Sequence, residues 1–134
     1  MIELFSFGWG FCEAREQPPF AHKIVDIRYN LRNVPPKQIL QSSGMNLDVQ
    51  WFVLETPGAL EVIADIVALA RAQPIEADYV IGIGCQAGRH RSVAIVEIVA
   101  AELKKLGRAC RLRHIHYDWA MDEKPLFWPE IKNR

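Results

Sequence analysis

Apolar residues recur along this chain with two alternating periods, and the alternation predicts the fold. Ile2–Phe7 is short and mostly apolar and reads as a strand, running into Ser6-Phe7-Gly8-Trp9-Gly10. The two glycines there permit backbone geometries that other residues resist. Glu13–His22, with Pro18-Pro19, reads as a loop. Lys23–Tyr29 has β-branched residues near its centre and predicts a second strand, on which Asp26 and Arg28 would share one face. Asn30–Gln50 holds Pro35-Pro36 and Ser42-Ser43-Gly44 and predicts a long loop with a short helix inside. Trp51–Leu54 suits a short helix or a strand equally.

The second half is more regular. Thr56-Pro57 offers an N-cap followed by proline at the first helical position. Gly58–Gln73 then places Leu60, Ile63, Ala64, Val67 and Ala70 at helical spacing, and Pro74 stops the helix. Ala77–Ile83 is a largely apolar strand of the kind found inside a parallel sheet covered on both faces. Ser92–Leu106 predicts a helix whose first half is well buried, with Lys104 and Lys105 in its last turn and Gly107 just beyond. Arg108–His116 closes the pattern as a strand, so Tyr79–His116 is a right-handed βαβ crossover. The expectation is one α/β domain over residues 1–117, with a mostly parallel sheet flanked by helices. Residues 118–134, with two prolines and two tryptophans, form a C-terminal tail.

Composition narrows the function classes. The chain has 134 residues, 50% of them apolar and 24% charged, which suits one domain with a real core. Its formal net charge is zero, so no overall field recruits nucleic acid or a membrane surface. Three cysteines, Cys12, Cys85 and Cys110, argue against a disulfide framework and for a reducing compartment. The N-terminal segment has no basic region of the kind that opens a secretory signal, and no apolar run approaches membrane-spanning length. A cytoplasmic protein without a membrane partner is expected.

The stretch Tyr79–Ser92, YVIGIGCQAGRHRS, is where chemistry concentrates. A strand that passes through a glycine-bearing loop into a helix start is the usual way to hold a phosphate. Amides around Gly88 suit an anion nest. Arg89, His90 and Arg91 fall beside the positive end of the helix dipole, where cations are unfavourable unless something negative is bound. The alternative is a solvated basic loop. As a binding site, the loop uses its amides, Arg89, His90, Arg91 and the Ser92 hydroxyl on a phosphorylated ligand. As a catalytic site, Cys85 and Arg91, five residues apart and followed by Ser92, resemble the Cys-x5-Arg-Ser loop of cysteine-dependent phosphatases. A thiol beside a helix start and arginines suits a nucleophile. Against catalysis, Gly84 stands where that pattern has histidine, and no Trp-Pro-Asp motif precedes the loop. Trp128-Pro129-Glu130 follows it instead.

Other constellations are weaker. The chain has no GK[ST], so nucleotide hydrolysis of the Walker A type is not expected. His114, His116 and Asp118 form either a small metal site or a polar strand edge, and no metal or other cofactor is expected. Arg111 and Arg113, with Arg108 nearby, give a basic strand face suited to a phosphate backbone such as RNA, or simply a solvated edge. Asp26 and Arg28 are an ion pair or part of a site.

Ile83–Glu97, IGCQAGRHRSVAIVE, resembles the signature of the C-terminal domain of the RNase adapter protein RapZ, also described as the YvcJ-type nucleotide-binding family. There the segment reads much like Ile-Gly-Cys-Thr-Gly-Gly-(Lys/Arg)-His-Arg-Ser-Val. Ser6-Phe7-Gly8 resembles the opening of that domain, and Asp26-Ile27-Arg28-Tyr29-Asn30-Leu31 its Asp-Val-Arg-Phe segment. Ser43-Gly44 stands where the family has Thr-Gly, and Arg111–His114 resembles its closing Arg-x-Arg-His. The resemblance implies a regulatory or adapter domain that senses glucosamine 6-phosphate and binds a small RNA and a sensor kinase. It implies that Cys85, Gln86, Ala87, Gly88, Arg89, His90, Arg91 and Ser92 cradle the phosphate. Asp26, Arg28 and Asn30 would lie beside it, and Ser6 and Gly8 along the same edge. RNA, a protein partner and a homo-oligomer stay open as partners. Gln86-Ala87 in place of Thr-Gly removes a hydroxyl and a flexible position.

Overall fold

A computed structural model describes residues 1–12, 18–28, 41–86 and 88–117 of the chain. Strand β1 (Ile2–Gly8) passes through a 3-10 turn at Trp9–Phe11, and β2 (Lys23–Asp26) follows. Helices α1 (Leu47–Glu55) and α2 (Ala59–Arg71) lead to β3 (Tyr79–Cys85), α3 (Arg91–Lys105) and β4 (Cys110–His114). The four strands form one sheet in the order β2-β3-β1-β4, and every pairing is parallel. The α/β class and the parallel sheet agree with the sequence pattern. In the β3–α3–β4 crossover the two strands are not neighbours, because β1 lies between them.

The sheet has two unlike faces. Ile2, Leu4, Ile81, Ile83 and Cys85 share one face and one core with Val49 and Val53 of α1, Ile63, Ile66 and Ala70 of α2, and Ala94–Val96, Val99 and Leu103 of α3. The alternation of β1 sends Phe5 and Phe7 to the opposite face, where both are fully buried. Their rings cover β3 at Gly82 and Gly84. A Cβ on Gly82 would stand 2.5 Å from Phe5 Cζ, and one on Gly84 would stand 2.6 Å from Trp9 Nε1. As expected of a largely apolar strand inside a parallel sheet, β3 is covered on both faces, and on the second face its glycines leave room for the aromatic cover supplied by β1 and the turn after it.

Several boundaries differ from the sequence reading for identifiable reasons. Strand β2 stops at Asp26 because the Asp26 carboxylate accepts the Arg28 backbone N–H at 3.0 Å and turns the chain. Asp26 and Arg28 therefore meet across a turn, not along a strand face. Thr56 does not cap α2. Its hydroxyl donates back to the Phe52 carbonyl at 2.9 Å and closes α1, while Gly58, at φ 90°, precedes Ala59. Trp51–Leu54 is helical, inside α1. Strand β3 runs two residues past Ile83, to Cys85, and β4 is shorter at both ends than Arg108–His116. Helix α3 ends as its sequence indicates. Gly107 takes φ 75°, its N–H reaches the Lys104 carbonyl, and the Arg108 N–H reaches Leu103. The tail at 118–134, with Asp118 and Trp128-Pro129-Glu130, lies outside the described residues, as do Asn30 and Ala87.

Candidate functional site

The carboxyl ends of the parallel strands converge on the loop between β3 and α3. Gly8 pairs with Cys85 in register, and the Gly10 N–H donates to the Gln86 carbonyl at 2.8 Å, so the turn after β1 packs on the start of the loop. Gly88 lies at φ 71°, and a Cβ there would approach Gly8 N to 2.8 Å. Both the left-handed backbone and the close approach require glycine. The Gly88 N–H donates to Cys85 Sγ at 3.2 Å, and Ser92 Oγ lies 3.0 Å from the same sulfur. The fully buried Cys85 thiol therefore forms the floor of the loop.

Arg89, His90 and Arg91 are 7%, 3% and 4% exposed, which removes the solvated-loop alternative. Helix α3 begins without a side-chain cap at His90 and without an acidic residue in its first turn. Uncapped first-turn amides and buried cations stand together at the positive end of the dipole, an arrangement that favours an anion. Arg89 Nε donates to the Ser42 carbonyl at 2.7 Å. Burial pushes the guanidinium of Arg89 below its ordinary pKa, and the nearby Tyr117 phenol opposes that shift. Arg91 Nη1 donates to the Arg28 carbonyl at 3.4 Å.

One wall is built on Asp26 and Arg28. Arg28 grips the Asp26 carboxylate through Nη2 at 2.7 Å and Nε at 3.1 Å, and its guanidinium lies 4.6 Å over the Trp9 ring. Burial raises the Asp26 pKa, but the hydrogen bonds and charge of Arg28, with Arg91 beyond, hold the carboxyl below its usual range. The opposite wall is Ser42–Gly44. The Gly44 N–H donates to the Arg89 carbonyl at 2.8 Å, and Ser43 Oγ lies 3.0 Å from Tyr117 Oη.

Beneath the loop runs a polar chain that composition and spacing do not reveal. Ser6 is fully buried, and its Oγ lies 2.6 Å from His114 Nδ1, whose Nε2 lies 2.7 Å from Glu97 Oε2. Ser6 thus turns to β4 and α3. The signal that could have exposed Glu97 was a carboxylate among the apolar positions of SVAIVEIVA. His114 and His116 do not converge, because His116 Nδ1 accepts the Gly8 N–H at 2.9 Å. Among the described residues no group of three or more His, Cys, Asp or Glu is placed to hold a metal ion. Nor do Arg108, Arg111 and Arg113 join the loop. Arg108 donates to the carbonyls of Arg71, Gln73 and Pro74 behind α2. Arg111 and Arg113 are exposed on β4, Arg113 pairing with Glu3 at 2.9 Å. Cavities of about 440 Å³ between α3 and β4, and about 290 Å³ between β2 and α2, lie away from the loop.

The Gly8–His116 bond predicts a pH dependence. An imidazole that accepts through Nδ1 is neutral, and burial lowers the pKa of His116 in the folded chain. The unfolded chain then binds more protons over that interval. Stability from this group is complete above the ordinary histidine value of about 6.5 and falls as pH drops through the lowered folded value. Thermal melts of the wild type and His116→Gln from pH 7.5 to 5 should differ in slope, the variant losing less on acidification. Parallel slopes would refute the assignment.

A family model for the RapZ C-terminal domain matches residues 1–118 of the chain. The chain belongs to the RapZ C-terminal domain family. Proteins named nucleotide-binding protein are its relatives. The one from Trichlorobacter lovleyi is 34% identical over 121 residues, covering 84% of this chain and 40% of the relative. Those from Mycolicibacterium smegmatis and Sphingopyxis alaskensis are 30% and 33% identical, covering 87% and 90% of this chain. The chain spans about 40% of the length of these relatives. No described helix is long and apolar enough to cross a membrane.

Proposed function

We propose that this RapZ-type domain is a regulatory or adapter module that binds a phosphate-bearing small molecule in the Cys85–Ser92 loop. The observation that carries the proposal is the buried run Arg89–Arg91 on an uncapped helix start, with no acid in the first turn of that helix. Charge of that sign is stable in that place when an anion completes it. Glucosamine 6-phosphate, the ligand implied by the family resemblance, is the first compound to test. The name shared by the relatives adds nucleotides, and the phosphate is common to both. Arg111 and Arg113, exposed on β4, would carry any contact with RNA.

A second reading, a cysteine-dependent phosphatase, is favoured by one feature, the Cys85 sulfur held by Gly88 N–H and Ser92 Oγ with Arg91 in the same loop. In that chemistry the thiolate would attack phosphorus and form an S–P bond as the ester oxygen leaves and takes a proton. Water would then release phosphate. Calorimetric titration with glucosamine 6-phosphate, glucosamine and inorganic phosphate, with released phosphate assayed in the same samples, separates the two. Saturable binding of the sugar phosphate without release, retained within a few-fold in Cys85→Ser, is the expected result. Release abolished by Cys85→Ser would establish the phosphatase, and silence in both channels would refute phosphate binding.

A further inference from the structure

The two arginines of the loop leave it toward different walls. Arg91 reaches the Arg28 carbonyl, on the side of the Asp26 carboxylate, whose negative charge lies close enough to be stabilised by it. Arg89 turns to the opposite wall. Its Nε bonds the Ser42 carbonyl, and its own carbonyl holds the Gly44 N–H. Its guanidinium sits near the Tyr117 phenol, whose oxygen meets Ser43 Oγ.

Arg89 is 7% exposed, yet among the described residues no carboxylate pairs with it. A buried cation without a counter-charge is expensive, and proteins ordinarily place a carboxylate beside one. Arg89 Nε meets the Ser42 carbonyl and its guanidinium lies near the Tyr117 phenol, groups that orient a guanidinium but supply no carboxylate charge. A strut between Arg89 and Ser42 would need only the single Nε bond, which a neutral amide can supply. The positive charge is surplus to that duty.

We propose that Arg89, flanked by Tyr117 and Ser43, receives a second anionic group of the ligand. The ligand would then be a small diacid, with one phosphate in the Gly88–Ser92 cradle and a carboxylate or second phosphate at Arg89. This rests on the phosphate-loop reading and narrows it. A fork-shaped guanidinium suits either group bidentately, and the Tyr117 hydroxyl adds a neutral donor.

The test compares ligands that differ by one acid. Glycerol 3-phosphate is titrated against 3-phosphoglycerate, which adds a carboxylate, and fructose 6-phosphate against fructose 1,6-bisphosphate, which adds a phosphate. Inorganic phosphate is the common reference. The wild type is expected to prefer the two-acid member of at least one pair by about tenfold or more. Which pair shows the preference identifies the second acid. Arg89→Gln should erase the preference, so that the one-acid and two-acid members of the pair bind the variant with equal affinity. Arg89→Lys should restore part of it. Equal wild-type affinities within both pairs would overturn the proposal without any variant having to fold. So would a loss of inorganic phosphate binding in Arg89→Gln as large as the loss of the diacid. Phosphate bound without a two-acid preference defeats this inference alone. Failure of every phosphate-bearing probe defeats the loop reading and this one with it.

Discussion

Gly44→Ala is expected to destabilise the fold by about 3 kcal/mol and to abolish binding at the loop. The Gly44 backbone lies directly on the start of α3. A methyl group there would strike the Ala94 nitrogen and the His90 carbonyl oxygen, and would come within 2.8 Å of Val93 Cβ. Two of these three neighbours are backbone atoms in the first helical turn and have no rotamer through which to escape. Relief requires the Ser42–Gly44 segment to lift away. Lifting it breaks the Gly44–Arg89 bond at 2.8 Å and the bond from Gln50 Nε2 to the Gly44 carbonyl at 2.9 Å. The Arg89 side chain would lose its Ser42 carbonyl as well. Denaturant unfolding of the wild type and the variant measures the cost. A difference below about 0.5 kcal/mol would mean that the two segments are not packed as described.

Arg91→Ala is expected to weaken phosphate binding by about 1.5–3 kcal/mol, or roughly ten- to 150-fold in Kd. Arg91 is the first residue of α3 and is 4% exposed, so its charge acts in a poorly solvated place. Calorimetry with inorganic phosphate reads the loss. The same experiment should show a weaker dependence on salt, because one cation has left the site. Unchanged affinity would remove Arg91 from the ligand shell.

Much of this architecture was legible in the chain, because it follows from local pattern. The glycine after α3 and the helical spacing of α2 act within a few residues, so the sequence displays them directly. The strand–loop–helix at Cys85–Ser92 was readable for the same reason. What escaped depends on partners distant in the chain. Burial of Arg89–Arg91 arises because Ser42–Gly44 and the turn after β1 close over the loop. The Ser6–His114–Glu97 chain joins residues from three elements. Thr56 shows a different limit. A threonine before a helix can cap the next helix or bond back to the last, and both choices look alike in sequence. At Asp26 and Arg28 the pattern continued as a strand, but a short carboxylate captured the backbone N–H two residues on and ended it.

The aromatic rings laid over Gly82 and Gly84 also set the alignment of the sheet. Phe5 pairs with Gly82 and Phe7 with Gly84, so each ring occupies space that only a missing side chain leaves open. Were β1 to slide by one residue, both rings would cross to the helix side and Ile2 and Leu4 would face the other way. A slide by two would keep the faces but would set Phe5 against Gly84 or Phe7 against Gly82, leaving the other ring without a matching glycine. The two glycines thus act as notches that accept the strand at a single setting. That setting places Gly8 opposite Cys85, the one alignment in which the Gly88 backbone finds its seat against Gly8. Two glycines in the middle of β3 thereby fix the position of a ligand loop to which neither contributes a side chain.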